Sequence, residues 1–153
     1  MSAAIDMGVF GETVLAIAEE VFTAMIDGEP GLLLAAFEPV DLPADATFAW
    51  VDVHGLHPGR VMLATEHETA MMLTRALLGM GEGEDVSDAD FVDAVGEIAN
   101  VVGGNVKALV PDPGPLTLPQ VSPMAPADGA ALLHESQLVW KGRPLAISLW
   151  SLP

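Results

Sequence analysis

The segment over residues 88–109 constrains the fold of this chain more than any other, because its apolar and polar residues separate onto two faces of one helix. Residues three and four apart are neighbours on a helix surface, and both sets follow that spacing. Ser87 with Asp90 predicts a cap at the start and Pro111 predicts an end, so the segment is predicted to form one continuous helix. The apolar face is predicted to dock on the core. It consists of Phe91, Val95, Ile98, Val102, Val106 and Leu109.

The opposite face of this helix is polar and is predicted to point outward. Its members, Asp93, Glu97, Asn100, Gly104 and Lys107, are called the polar stripe below. A glycine inside a helix costs about 1 kcal/mol relative to alanine, so it usually has a packing or approach reason. Gly104 would let the backbone of a partner come close, and close packing against another element of this chain is the alternative. The shorter pattern E-x-x-N is common on solvated helix faces, so by itself it rarely marks a site.

The full pattern of the polar stripe, D-x-x-x-E-x-x-N-x-x-x-G-x-x-K, resembles the signature helix of the CheC/CheX/FliY family of chemotaxis phosphatases. Its single copy is most similar to CheX. Members of this family remove the phosphoryl group from the aspartate of a phosphorylated response regulator of the CheY type. The resemblance implies that Glu97 pairs with the active-site lysine of the regulator and that Asn100 orients the attacking water. It gives Asp93, Gly104 and Lys107 no catalytic role, and it suggests a homodimer.

These residue types suit that chemistry on physical grounds as well. Hydrolysis of an aspartyl phosphate needs a water in line with the leaving oxygen, and its loose transition state leaves a protein little to supply except positioning. The carboxamide of Asn100 has both a donor and an acceptor, so it can hold a water and still point toward the phosphoryl oxygens. Glu97 can grip a cation of the partner through a charge-assisted hydrogen bond. The regulator would bring the magnesium ion and the phosphorylated carboxylate, so this chain is expected to need no cofactor of its own.

Two other functions stay open. The chain could be a noncatalytic module of the same fold that binds a response regulator or serves as a signalling scaffold. It could also be an enzyme or metal protein that uses the acidic helix differently. A metal site is not expected at His54 and His57, because they flank a predicted turn and no second pair of ligands is near in sequence.

Composition limits the possible partners and the location of the protein. The 153 residues are 51% hydrophobic and 18% charged, which predicts one globular domain over residues 1–153. Twenty-two acidic against five basic side chains give a net charge of −17, which argues against binding to nucleic acids or anionic membranes. The chain has no cysteine, and it lacks both a signal-peptide pattern and an apolar run long enough to span a membrane. A cytoplasmic protein is therefore predicted.

The remaining segments predict an α+β fold, with a largely antiparallel sheet covered by long helices. The C-terminal segment from Leu145 to Leu152 is interpreted as a sheet edge that could pair with a second copy in a homodimer. The predicted elements are a helix over 5–27, a loop or short turn of helix over 29–46, a hairpin of 47–54 with 60–65, a helix that starts at a Thr65–Glu68 capping box and runs to Gly79, the helix over 88–109, a strand over 116–121 that Pro119 confines to an edge or a bulge, and a hairpin of 137–141 with 144–151 that turns at Gly142 and Arg143.

Overall fold

The computed structural model describes residues 7–39 and 41–153, in which three helices lie against one face of a seven-stranded antiparallel sheet. The sheet order is β1-β6-β7-β3-β2-β4, and β5 also pairs with β2. The fold is therefore α+β, as predicted. The elements are α1 (Met7–Phe22, continued by a π-helical turn over Thr23–Asp27), β1 (Leu33–Ala35), β2 (Ala46–Gly55), β3 (Gly59–Glu66), α2 (His67–Leu78), α3 (Asp88–Lys107), β4 (Pro113–Leu116), β5 (Gln120–Ser122), β6 (Ala131–Trp140) and β7 (Arg143–Ser151).

The hydrophobic core lies between the helices and one face of the sheet, because alternate residues of a strand point to opposite faces. Leu63 of β3 and Ile147 of β7 are paired neighbours, and both are buried in this core. Phe22 of α1 meets Trp140 of β6 edge-on, with their ring centroids 6.2 Å apart. The indole nitrogen of Trp140 donates to the Asp27 carboxylate at 3.0 Å, so the buried ring keeps a polar partner.

The long helix predicted over residues 88–109 is present as α3, which ends two residues earlier, at Lys107. The hydroxyl of Ser87 accepts a hydrogen bond from the backbone amide of Asp90 at 3.1 Å, so the predicted cap is confirmed. The first predicted helix is also confirmed over its described part, and Gly28 closes it with a φ of 72°. Residues 5 and 6 of that prediction lie outside the described residues.

The apolar face of α3 is buried over most of its length, as predicted. The exceptions are Phe91, which is partly buried, and Leu109, which lies beyond the helix and is 39% exposed. Gly103 is packed so closely that a Cβ atom there would collide with the Val51 side chain of β2. At Gly104 an added Cβ would make only an ordinary contact of 3.7 Å, so Gly103 is the glycine that packing requires. The buried residues of α3 are Ala94, Val95, Gly96, Ile98, Ala99, Val102, Gly103 and Val106.

The predicted capping box of α2 is wrong. Thr65 is the penultimate residue of β3, and its buried hydroxyl donates to the carbonyl oxygen of Pro144 in the neighbouring chain segment at 2.9 Å. The N-cap of α2 is Glu66, whose carboxylate accepts hydrogen bonds from the Thr69 hydroxyl at 2.7 Å and from Arg143 at 2.6 Å. Thr65 therefore belongs to the sheet and not to the helix cap, because its side chain points inward at the end of a central strand.

The C-terminal segment from Leu145 to Leu152 is not a sheet edge, so the structural basis given for a homodimer is wrong. β7 lies between β3 and β6 and is paired on both sides. Both faces of the strand are covered, since Ile147 and Ser148 are buried on opposite sides. The hairpin with β6 is confirmed, but its turn residues are Lys141 and Gly142, both with positive φ.

The true edges of the sheet are β1 on one side and β4 with β5 on the other. β1 lies inside the segment predicted as a loop over 29–46, and its three residues are too few for a strand pattern. The strand predicted over 116–121 is split around Pro119, and both parts pair with β2 at the edge. Within the described residues, no helix combines the length and the apolar character that a membrane crossing requires.

Candidate functional site

Glu97 and Asn100 lie together on the side of α3 that faces away from the core. Glu97 is exposed and Asn100 is partly exposed. Three residues of helix advance about 4.5 Å along the axis and turn by most of one revolution, so the two side chains are neighbours. The structure therefore brings both sequence-predicted site residues to one surface, on an element whose opposite face is fixed in the core.

The side chains of Glu97 and Asn100 are available to a partner, since neither is hydrogen-bonded or ion-paired to any residue in the described ranges 7–39 and 41–153. The other asparagine of the helix differs. Asn105 donates its amide to the carbonyl oxygen of Val101 at 2.8 Å, so it is occupied by its own helix. Asn100 keeps both its donor and its acceptor for a water or for a ligand oxygen.

The segment that joins β4 to β5 runs beside the polar stripe and borders the site. A Cβ atom at Gly96 would lie 3.3 Å from the Pro119 ring, and one at Gly104 would lie 3.7 Å from the Leu116 side chain. The intervening Thr117 is fixed to β2, because its amide donates to the Asp52 carbonyl at 2.9 Å and its hydroxyl accepts from the Asp52 amide at 3.0 Å. Sequence reasoning missed the role of Gly96, although a third glycine in the same helix was a visible signal.

The local charge of the site is set by Glu97 and by Asp93, which is exposed one turn earlier on the same stripe. Lys107 ends the stripe and has no ion pair within the described part of the chain. The other basic side chains are engaged elsewhere. Three arginines form ion pairs with carboxylates, and the Lys141 ammonium lies 4.9 Å from the centroid of the Trp140 ring.

An ion cluster around a buried arginine on the other face of the sheet was not found from the sequence. Arg60 is 5% exposed and forms ion pairs with Asp52 and Asp128, each at 2.7 Å, below the ring of Trp50. The hydrogen bond that Arg60 donates to Asp52 raises the pKa of Arg60, and the hydrogen bond that it donates to Asp128 lowers the pKa of Asp128. This cluster joins the long loop before β6 to the sheet. The backbone of Asp52 is also hydrogen-bonded to Thr117, so the cluster is linked through Asp52 to the segment beside the site.

The candidate site is a flat helix surface rather than a pocket. A cavity of about 490 Å³ lies near the C-terminal end of α3 and is lined by Phe10, Val106 and Trp150 among others, but not by Glu97 or Asn100. Over residues 7–39 and 41–153, no three histidine or acidic side chains are grouped so that they could hold a metal ion.

Comparison with known proteins gives both a family and a fold. The family described as chemotaxis phosphatase CheX matches residues 47–132, more than half of the chain, including the whole of α3. Among solved structures, CheX from Desulfovibrio desulfuricans is 16% identical with a TM-score of 0.67, covering 94% of this chain and 99% of that chain. The CheX-CheY-BeF3-Mg2+ complex from Borrelia burgdorferi gives 15% identity, a TM-score of 0.68 and coverages of 94% and 98%.

A third solved structure, FliY from Thermotoga maritima, has 14% identity and a TM-score of 0.60, and covers 99% of this chain and 92% of that chain. No curated protein matches the chain in sequence. At identities this low, the structural similarity shows a common fold and nothing more.

Proposed function

This chain belongs to the family of the chemotaxis phosphatase CheX, and on that premise we propose that it stimulates hydrolysis of the aspartyl phosphate on a CheY-type response regulator. The observation that carries the proposal is a pair of side chains on one turn of α3, Glu97 and Asn100, which have no hydrogen-bond or ion-pair partner among the residues that the structure describes. A carboxylate and a carboxamide at that spacing can hold a partner and a water at the same time.

Glu97 is proposed to anchor the regulator by a charge-assisted hydrogen bond to its active-site lysine. The net charge of −17 repels an anionic phosphoryl group, so the overall charge of this chain does not attract the regulator. The attraction has to come from a local contact between a carboxylate of this chain and a cation of the partner. Glu97 is suited to that task because no cation of its own chain neutralises it within the described residues.

Asn100 is proposed to place the attacking water in line with the scissile P–O bond. A neutral amide fits this position better than a carboxylate, since a second negative charge would repel the phosphoryl oxygens. Ordering one water lowers the barrier by roughly 2 to 4 kcal/mol, which is about 30- to 900-fold in rate. No described residue hydrogen-bonds to the amide of Asn100, so the amide is open to a water and to the bound phosphoryl group.

The remaining catalytic parts are proposed to come from the regulator. It supplies the phosphorylated aspartate and the magnesium ion that neutralises charge on the phosphoryl oxygens, so the chain adds no cofactor of its own. The solved relative from Borrelia burgdorferi is in complex with CheY, BeF3 and Mg2+, which supports a partner of this class. Such a partner implies action in the cytoplasm and in a two-component pathway such as chemotaxis.

Phosphate loss from purified, phosphorylated CheY-type regulators tests the proposal directly. The wild-type chain should accelerate it, and Asn100→Ala should lose most of the acceleration while still binding the phosphorylated regulator. Asn105→Ala is the matched control, because it removes an asparagine of the same helix whose amide is already bonded to Val101. Normal acceleration by a folded Asn100→Ala variant would remove Asn100 from the catalytic step. Binding of the phosphorylated regulator by the wild-type chain without any acceleration would leave a regulator-binding module, and not a phosphatase, as the function.

A further inference from the structure

Leu118 is the most exposed residue of the segment that borders the candidate site. Its side chain is 86% exposed, although it lies between Leu116 and Pro119, which contact α3. An exposed leucine by itself is ordinary on a protein surface. The position and the rigidity of this one set it apart.

Its position follows from contacts on both sides. Leu116 lies beside Gly104 and Pro119 lies beside Gly96, so this segment runs antiparallel to α3. The eight residue-to-residue steps from Gly96 to Gly104 rise about 12 Å along the helix. The three steps from Leu116 to Pro119 cover about 10 Å of extended chain, a similar length. Leu118, two thirds of the way along, is therefore level with the helical turn that carries Glu97 and Asn100.

The rigidity of Leu118 follows from its neighbours. Thr117 is hydrogen-bonded twice to Asp52, and Gln120 pairs with Trp50 in the sheet. Pro119 is limited in its own backbone angle and rests on Gly96. The chain therefore holds an apolar side chain outward at fixed geometry, which reduces the ordering cost when a partner covers it.

We infer that Leu118 is an apolar docking residue for the receiver domain of the regulator, in contact with a nonpolar patch beside the phosphorylated aspartate. The inference rests on the proposed function, because it takes the partner from there. Glu97 gives one charged contact in a chain whose overall charge opposes an anionic partner. An apolar contact beside it supplies affinity that salt does not screen.

The test uses CheY-type receiver domains loaded with beryllofluoride and Mg2+, titrated with wild-type protein, Leu118→Ala and Leu118→Asp. Leu118→Asp should weaken binding about tenfold or more and Leu118→Ala severalfold, as for a residue in the centre of an interface. The weakening by Leu118→Ala should be the same at low and high salt. Leu133→Asp is the matched control, because Leu133 is another exposed leucine, on β6, and it borders the cavity near the C-terminal end of α3 instead of the turn with Glu97 and Asn100.

The rate at saturating protein separates docking from chemistry. Leu118→Asp should raise the concentration that gives half-maximal phosphate loss and leave the saturated rate within about twofold of wild type, because docking residues act on dissociation. Wild-type affinity in both Leu118 variants, or an equal loss in Leu133→Asp, overturns the inference. Leu118→Ala covers the case in which the aspartate variant misfolds.

The same data distinguish this inference from the proposed function. If the wild type binds loaded regulators and Leu118→Asp weakens binding, but no phosphate loss is stimulated, the docking residue stands and the phosphatase assignment fails. If stimulation by Leu118→Asp matches wild type at every concentration, the phosphatase stands and the docking residue fails. If wild-type protein binds no loaded regulator, both fail.

Discussion

The backbone of α3 at Gly103 lies directly against the side chain of Val51 in β2, with no room for one more carbon atom between them. Gly103→Ala should therefore force the helix off the sheet and lower the free energy of unfolding by about 1 to 3 kcal/mol. Gly104→Ala is the control one residue along, where a Cβ atom meets only an ordinary contact. It should leave stability equal or raise it by up to about 1 kcal/mol. Urea unfolding of both variants measures the difference in their free energies of unfolding. Equal values would contradict this close packing of α3 on β2.

Replacing Glu97 tests the anchor separately from the water-positioning residue. Glu97→Gln keeps the shape and removes the charge, so affinity for the phosphorylated regulator should fall about tenfold, equal to about 1.4 kcal/mol. The loss should shrink at high salt, because a contact between partly exposed charges is screened. Glu20→Gln, an exposed carboxylate on α1, is the control. The free energy of unfolding should change by less than about 0.5 kcal/mol in either variant. Unchanged affinity at low salt would remove Glu97 from the interface.

The carboxylate of Glu66 predicts a pH-dependent part of the stability. The Thr69 hydroxyl and then Arg143 hold the pKa of Glu66 below its usual value of 4.5. A group with a lowered folded-state pKa stabilises the protein fully above its unfolded-state pKa, and the contribution is lost as pH falls through the folded-state pKa. Glu66→Gln should therefore cost stability at pH 7 and cost much less near pH 3. Glu68→Gln is the control, since Glu68 is mostly exposed and lies 3.8 Å from Arg75. A cost that does not depend on pH would refute this role for Glu66.

The oligomeric state is a further prediction. A homodimer that forms through strands has to use β1 or the β4 and β5 edge, because β7 is paired on both sides. β1 is the favoured candidate, since Leu34 is exposed at that edge. Light scattering at high micromolar concentration should give a dimer mass for wild type and a monomer mass for Leu34→Lys. A wild-type monomer would contradict the homodimer, and a dimer that survives the substitution would move it to the other edge.

The periodic parts of the fold were predictable from the sequence, and the long-range parts were not. α3 and the hairpin of β2 with β3 were found because their apolar residues recur at fixed spacing and turn or cap residues bound them. Glu97 and Asn100 were placed on the exposed face by the same spacing. Thr65 was assigned to the wrong element, because its local pattern fits a cap and its actual partner, Pro144, lies far along the chain.

Contacts between distant segments explain the other differences. β7 has the alternation of a half-exposed strand, and only the pairing with β3 and β6 makes it central. Arg60 is joined to Asp128 across a long stretch of chain that no local pattern connects. The position of Leu118 beside the site also depends on such a contact, since Pro119 rests on Gly96.

Both proposed site residues, Glu97 and Asn100, belong to one helix whose other face is built into the core, so their spacing depends on no hinge between elements. Such a site has no closing step to complete it when the partner arrives. The free and partner-bound forms of this helix should superpose closely. The pace of signal termination would then be governed by how often the two proteins meet and how long they stay together.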